Sequence, residues 1–195
     1  NRVKSNGGRG IFIDVASNNA VVTNNTVVSN ASDGIAVWSS SFAALGGNIV
    51  ETSTVNGIYL NASSSDSISG NRVNSNSNHG ILVFSSSINN LVSGNTANGN
   101  TNVGIYLNST SDNNRVLDNT VNSNSYGIYV SASVNNVMVH NTVDSNVQYQ
   151  FYLEGAASSD TFIKNNIRTS PTNPDSGVYN GATLPGNRYA FTRNW

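Results

Sequence analysis

The 195-residue chain contains no cysteine, three prolines, one methionine and two histidines. Without cysteine there is neither a disulfide framework nor thiol chemistry. The histidines, His79 and His140, lie far apart in sequence, so no zinc site is readable. Only 10% of residues are charged and the net charge is −1. No basic patch suggests a nucleic-acid partner, and no acidic run suggests a disordered tail. No apolar run approaches the roughly 18 residues that a membrane span needs. No signal peptide is visible. The chain opens in mid-pattern at "NRVKSN", which reads as a mature form or part of something longer.

What the chain has in excess is asparagine (36) and serine (30), a third of all residues. Such a composition resembles low complexity. The 37% of hydrophobic residues contradict that, because they recur at fixed places. The glycines of a G-I-x-V/L phrase fall at Gly10, Gly34, Gly57, Gly80, Gly104 and Gly127, and Gln150 takes the next place in "QFYL". The asparagine opening N-x-V falls at Asn1, Asn25, Asn48, Asn71, Asn95, Asn119, Asn141 and Asn165. Both ladders step by 22 to 24 residues over about 1–168. A fixed period of this length marks a solenoid.

Within each unit apolar residues alternate with period two, the signature of strand. Gly, Asn and Ser are poor helix formers and good turn formers. Each unit offers three short strands: G-I-x-V/L, a segment such as "AVV" before the anchor asparagine, and N-x-V after it. Three strands and three turns make one coil. The expected fold is all-β, a right-handed parallel β-helix of about seven coils. Inward columns follow: Ile11, Ile35, Ile58, Ile81, Ile105, Ile128 and Phe151; Ile13, Val37, Leu60, Val83, Leu107, Val130 and Leu153; Val3, Val27, Val50, Val73, Ala97, Val121, Val143 and Ile167; Val22, Leu45, Ile68, Val92, Val116, Met138 and Phe162. Each such side chain stabilises by roughly 1.5–3 kcal/mol when buried. The anchor asparagines should hydrogen-bond to one another along the stack, as amide ladders do.

The "NGIYL…NN…V…NT" wording resembles the right-handed parallel β-helix repeat proteins of the pectate-lyase-like superfamily, in particular Asn-rich repeats of the carbohydrate-binding and sugar-hydrolase type. The resemblance implies an extracellular or cell-surface location, secreted or surface-held, and a polysaccharide or cell-surface glycan as partner. It specifies fold better than function. The family's uronan epimerases carry an Asp-Pro-His-Asp stretch that is absent here, and the close set of aspartates used by its glycosidases is missing too. Its pectate lyases hold calcium with clustered carboxylates. Here Asp14, Asp33, Glu51, Asp66 and Asp112 are scattered. No cofactor is expected, and no calcium cluster is readable.

Two features carry candidate chemistry. Tyr106, Tyr129 and Tyr152 occupy the outward place between the inward residues of successive coils, and Tyr126 and Tyr149 occupy the place before the glycine position. Tyrosine rings stack on sugar rings and their hydroxyls bond sugar hydroxyls. The competing reading is a structural ladder whose rings shield the sheet. The second feature is a sparse charged edge. Asp118, His140 and Lys164 each precede the anchor asparagine, and Asp144 and Arg168 follow it by three. A polysaccharide lyase needs a base, here Lys164 or His140, and a cation such as Arg168 to stabilise an enolate. The competing reading is a solvated ion-pair ladder. Thr26, Thr96, Thr120 and Thr142 share a column as ice-binding arrays do, but Arg2, Ile49 and Arg72 interrupt it. Four N-x-S/T sequons, at Asn24, Asn30, Asn61 and Asn108, are explained by composition alone.

Residues 169–195 break the period. They hold all three prolines (Pro171, Pro174, Pro185) and an aromatic ending with Tyr189, Phe191 and Trp195. They are expected to form an irregular tail or cap on the last coils, because solenoid ends expose strand edges. The open first strand suits end-to-end or lateral self-association. The sequence therefore supports a structural, glycan-interacting β-helix domain, with a module of a polysaccharide lyase or uronan epimerase as the alternative. It does not decide whether the chain is an enzyme.

Overall fold

The computed structural model describes residues 1–170, 172–183 and 186–190. The chain is a right-handed parallel β-helix of about eight turns. Its first sheet runs along the rod through Ile11–Ile13, Ile35–Trp38, Ile58–Asn61, Ile81–Phe84, Val103–Asn108, Tyr126–Ser131, Tyr149–Gly155 and Val178–Ala182. The second stacks Val21–Thr23, Ala44–Gly46, Ser67–Ser69, Leu91–Ser93, Arg115–Leu117, Val137–Val139, Thr161–Ile163 and Arg188–Ala190. The third is divided. Arg2–Lys4, Thr26–Val28, Ile49–Glu51 and Arg72–Asn74 form one part, and Thr120–Asn122, Thr142–Asp144 and Asn166–Arg168 the other. Single bridges through Thr96 join them. Every strand-to-strand pairing is parallel, in the register that the repeat predicts: Ile105 lies beside Ile81 and Ile128, and Val121 beside Val143.

The predicted inward columns form the core, with Ile35, Leu45, Ile58, Leu60, Ile105, Met138, Phe151 and Phe162 fully buried. Only end residues such as Val3, Ile11 and Ile167 are less than buried, because no further coil covers them among the described residues. The glycine column has a steric cause. A Cβ on Gly34, Gly57 or Gly104 would lie 2.2 Å from the Val Cγ1 of Val50, Val73 or Val121. Sheets one and three therefore approach too closely there for any side chain. Where Gln150 replaces glycine, its amide enters an internal ladder: Asn146 Nδ2 donates to Gln150 Oε1 at 2.7 Å.

Three internal polar ladders line the corners. The anchor asparagines donate Nδ2 to the next Oδ1 from Asn25 to Asn165, for example Asn48 to Asn71 at 2.9 Å and Asn119 to Asn141 at 2.9 Å. From Asn48 to Asn165 each also bonds backbone of the preceding coil, as Asn48 Nδ2 does to the Val22 carbonyl at 2.8 Å, whereas Asn25 Nδ2 bonds the Thr23 carbonyl of its own coil. A second ladder runs through Asn76, Asn100, Asn124 and Asn146. In the third, backbone N–H groups donate to the side chains of Asp66, Asn90, Asn114, Asn136, Asp160 and Asn187 in turn. Apart from Asn136 Nδ2, which has no partner among the described residues, such ladders satisfy buried amides that would otherwise cost about 1–3 kcal/mol each.

The described part of the segment after residue 168 carries two further strands. Val178–Ala182 pairs with the first sheet and Arg188–Ala190 with the second, so an eighth partial coil follows the seven read from the repeat. Tyr189 stacks on Phe162 at 5.2 Å. Pro171, Pro185, Phe191 and Trp195 lie outside the described residues.

Candidate functional site

The outward surface of the first sheet is built from three columns. Alternation along each strand turns one residue of three outward between the two core residues, giving Phe12, Ala36, Tyr59, Leu82, Tyr106, Tyr129, Tyr152 and Tyr179. The place before the glycine adds Arg9, Asp33, Asn56, His79, Val103, Tyr126 and Tyr149. The place four residues after the glycine adds Trp38, Asn61, Phe84, Asn108, Ser131 and Glu154.

In coils five to eight these columns converge on tyrosine. Ring centroids lie 4.5 Å apart between Tyr106 and Tyr129, 4.7 Å between Tyr129 and Tyr152, and 4.7 Å between Tyr152 and Tyr179. Tyr126 and Tyr149 flank them, 6.4 Å from each other and 5.6 and 5.3 Å from Tyr129 and Tyr152. All five sequence-predicted tyrosines thus share one surface. The rings also contact each other, as the structural reading expected, yet they remain part-exposed, and Tyr179 is 41% exposed. Burial and the Glu154 carboxylate raise the Tyr129 phenol well above its ordinary value, and raise Tyr106 and Tyr152 for the same causes in the same order. The phenols therefore stay protonated donors across the physiological range.

Two members of this surface escaped the sequence reading. Glu154 accepts a hydrogen bond from the Tyr129 hydroxyl. Its outward place was deducible, since it lies two residues beyond Tyr152 on an alternating strand. Tyr179 belongs to "GVYN", a weakened form of "GIYL" 27 residues after Gln150 and so out of period.

The charged edge lies elsewhere. Asp118, His140 and Lys164 form the turn between the second and third sheets, in one column with Asn24, Gly47, Gly70 and Gly94. All seven are left-handed, with φ between 51° and 62°. Asp118 and His140 form a long pair at 3.6 Å, exposed by 67% and 53%. Arg168 meets Asp144 at 3.5 Å on the third sheet. Asp118, His140 and Lys164 thus share one turn column and Asp144 lies beside Arg168 on the third sheet, on a different side of the rod from the tyrosines. His79, on the first sheet, lies against Tyr106 at 5.1 Å, and burial pushes its imidazole down to about 4.

Comparison with known proteins was consistent with this architecture. The profile of the family described as "Periplasmic copper-binding protein (NosD)" matches residues 1–96 and, again, 78–189. No curated protein sequence matches the chain. The periplasmic alginate epimerase AlgG superposes with a TM-score of 0.85 at 22% identity, covering 94% of this chain and 46% of AlgG. The A-module of the Azotobacter vinelandii mannuronan C-5 epimerase AlgE6 gives 0.81 at 14%, covering 98% and 59%. The Dettilon tailspike protein gives 0.80 at 19%, covering 95% and 42%. At these identities the likeness is one of fold, and the chain spans only about half the length of these neighbours.

The family description implies copper, which takes imidazole, thiolate and thioether donors. The residues here do not fit it. There is no cysteine, Met138 is sealed in the core, and His79 and His140 stand on different sides of the rod. Among the described residues no three His, Cys, Asp or Glu side chains gather as ligands.

Proposed function

The chain belongs to the family described as periplasmic copper-binding protein (NosD), and from that premise we propose that it is an exported β-helix domain that binds glycan on the tyrosine face of its first sheet. The observation that carries this reading is the continuous run of part-exposed tyrosine rings from Tyr106 to Tyr179, with Glu154 among them. Aromatic faces stack on the apolar C–H faces of sugars, while phenols and a carboxylate bond sugar hydroxyls. Successive coils stand about 4.8 Å apart, close to the length of one pyranose unit, so a linear chain running along the rod meets one ring per sugar. Export agrees with the periplasmic description of the family and of AlgG. No metal takes part in this reading.

The test is affinity electrophoresis through gels that contain a panel of polysaccharides. Retardation by one of them should be lost on Tyr129→Ala or Tyr152→Ala and kept on Phe12→Ala, which alters the same column in coil one. Unchanged mobility in every gel would remove the proposal.

A second reading makes the chain a module of a polysaccharide lyase or uronan epimerase, favoured by its likeness to the alginate epimerases. Lys164 or His140 would take the proton beside a uronate carboxylate, Arg168 would stabilise the resulting enolate, and Asp118 and Asp144 would orient the cations. In that case Lys164→Ala and Arg168→Ala each abolish formation of unsaturated or epimerised uronate. The separation of this edge from the tyrosines weighs for the first reading, because catalyst and binding face would not share a substrate.

A further inference from the structure

Resting on the glycan reading above, we propose that the tyrosine face takes an uncharged polysaccharide and rejects polyuronates. The argument is one of charge placement. Among the described residues the outward surface of the first sheet carries one arginine or lysine, Arg9, in coil one. Arg9 is already engaged. Its Nε meets Asp33 at 3.2 Å, and its guanidinium covers the rings of Phe12 and Trp38 at 4.5 and 4.2 Å. The other described arginines and lysines stand on the second and third sheets or on the turn between those two.

The tyrosines lie four to seven coils further along, and the one formal charge among them is the carboxylate of Glu154. A uronate chain on these rings would lose hydration from a carboxylate on each sugar. It would also face Glu154 with no guanidinium or ammonium to offset the loss. Like charges at a few ångströms in a partly dry site oppose binding. An uncharged pyranose meets no such penalty. It offers a C–H face to the rings and hydroxyl donors to Glu154, which accepts only.

The same gel assay tests this on the full chain, comparing uncharged polysaccharides (glucan, mannan, xylan) with alginate and polygalacturonate at physiological ionic strength, where diffuse attraction is largely screened. Wild type should be retarded by at least one uncharged polymer and by neither polyuronate. Glu154→Lys, which places a cation among the rings, should gain retardation by a polyuronate. Thermal melting of each variant confirms that the coil is intact. Retardation of wild type by alginate or polygalacturonate that disappears on Tyr152→Ala would overturn the charge inference and leave the glycan site standing. Retardation by no polymer would overturn both.

Discussion

Coils one to four and coils five to eight share one interior and differ on the outside. Inside the rod, Ile35, Ile58, Ile81, Ile105 and Ile128 are equally buried. On the outward surface of the first sheet, the early coils alternate large with smaller, covered residues. Ala36 is fully covered and Leu82 nearly so, while Phe12 packs edge-on against Trp38 at 5.4 Å and Trp38 against Tyr59 at 6.2 Å. The late coils place tyrosine in the same column four times in succession. Since coils two and four form the same strand with Ala36 and Leu82 at that place, the fold itself does not require the late tyrosines. Their accumulation is a property of the surface, and that is why the surface rather than the coil carries the functional reading.

The largest effect expected tests the shared interior. Ile105→Asp puts an unpaired carboxylate between the two halves and should cost several kcal/mol. Loss of the cooperative β-sheet melting signal by circular dichroism is the expected result. A melting temperature equal to wild type would break the claim that both halves share one core.

The next concerns two buried acids, one in each half. Asp66 and Asp160 occupy places in the third ladder where neighbouring coils have Asn90, Asn114 and Asn136. Asn90 Nδ2 donates to the Ser63 carbonyl and Asn114 Nδ2 to the Ser87 carbonyl. An aspartate has no such donor unless protonated, and Oδ2 of Asp66 and Asp160 lacks a partner. Burial pushes Asp66 up to about 6, opposed by the Ala43 N–H. Burial also pushes Asp160 up to about 7, opposed by the Asn136 backbone N–H and reinforced by Asp112. Both folded values exceed the unfolded one near 4. The folded state therefore holds more protons between these limits, and stability falls as pH rises from about 4 through 6 for Asp66 and through 7 for Asp160. Asp66→Asn and Asp160→Asn restore the amide donor. Each should raise stability at pH 8 by about 1–3 kcal/mol and flatten the pH profile of denaturant midpoints. The Asp160 variant should flatten it to higher pH. Identical pH profiles for wild type and both variants would refute the assignment.

The smallest effect separates the left-handed turn column of the two halves. Gly47 and Gly70 hold it in the early coils and His140 and Lys164 in the late ones. An L-residue there costs about 1–2 kcal/mol, partly returned by the flexibility glycine adds to the unfolded chain. Lys164→Gly should therefore leave stability unchanged or raise it by up to about 1 kcal/mol in urea titration. A clear loss would show that the Lys164 side chain makes a stabilising contact.

Much of this architecture was legible in advance. The period of 22 to 24 residues, the alternation within "GIYL" and the recurrence of N-x-V identified the strands, their register and nearly every core residue. The anchor asparagine ladder was legible for the same reason, because Asn48, Asn71 and Asn95 precede a residue already known to point inward. The second and third ladders were not. Asn76 and Asn100 look no different from exposed asparagines nearby, and which of them turns inward depends on the path of a corner. Glu154 was passed over because one acid in a polar chain has no periodic partner. Tyr179 was hidden by an irregular spacing.

The sequence alone determined that the chain coils, which residues fill the coil and that its tyrosines form a column, because in a solenoid position along the repeat is position in space. Only the tertiary structure decided how the columns are distributed around the rod. Tyrosines and Glu154 fell on the first sheet, and Lys164, His140 and Arg168 fell on the corner and sheet beyond. The reason is that side-chain direction at the three corners is set by turn geometry, by left-handed residues such as His140 and Lys164, and by the contact of Gly34, Gly57 and Gly104 with the valines of the facing sheet. None of these follows from hydrophobic pattern.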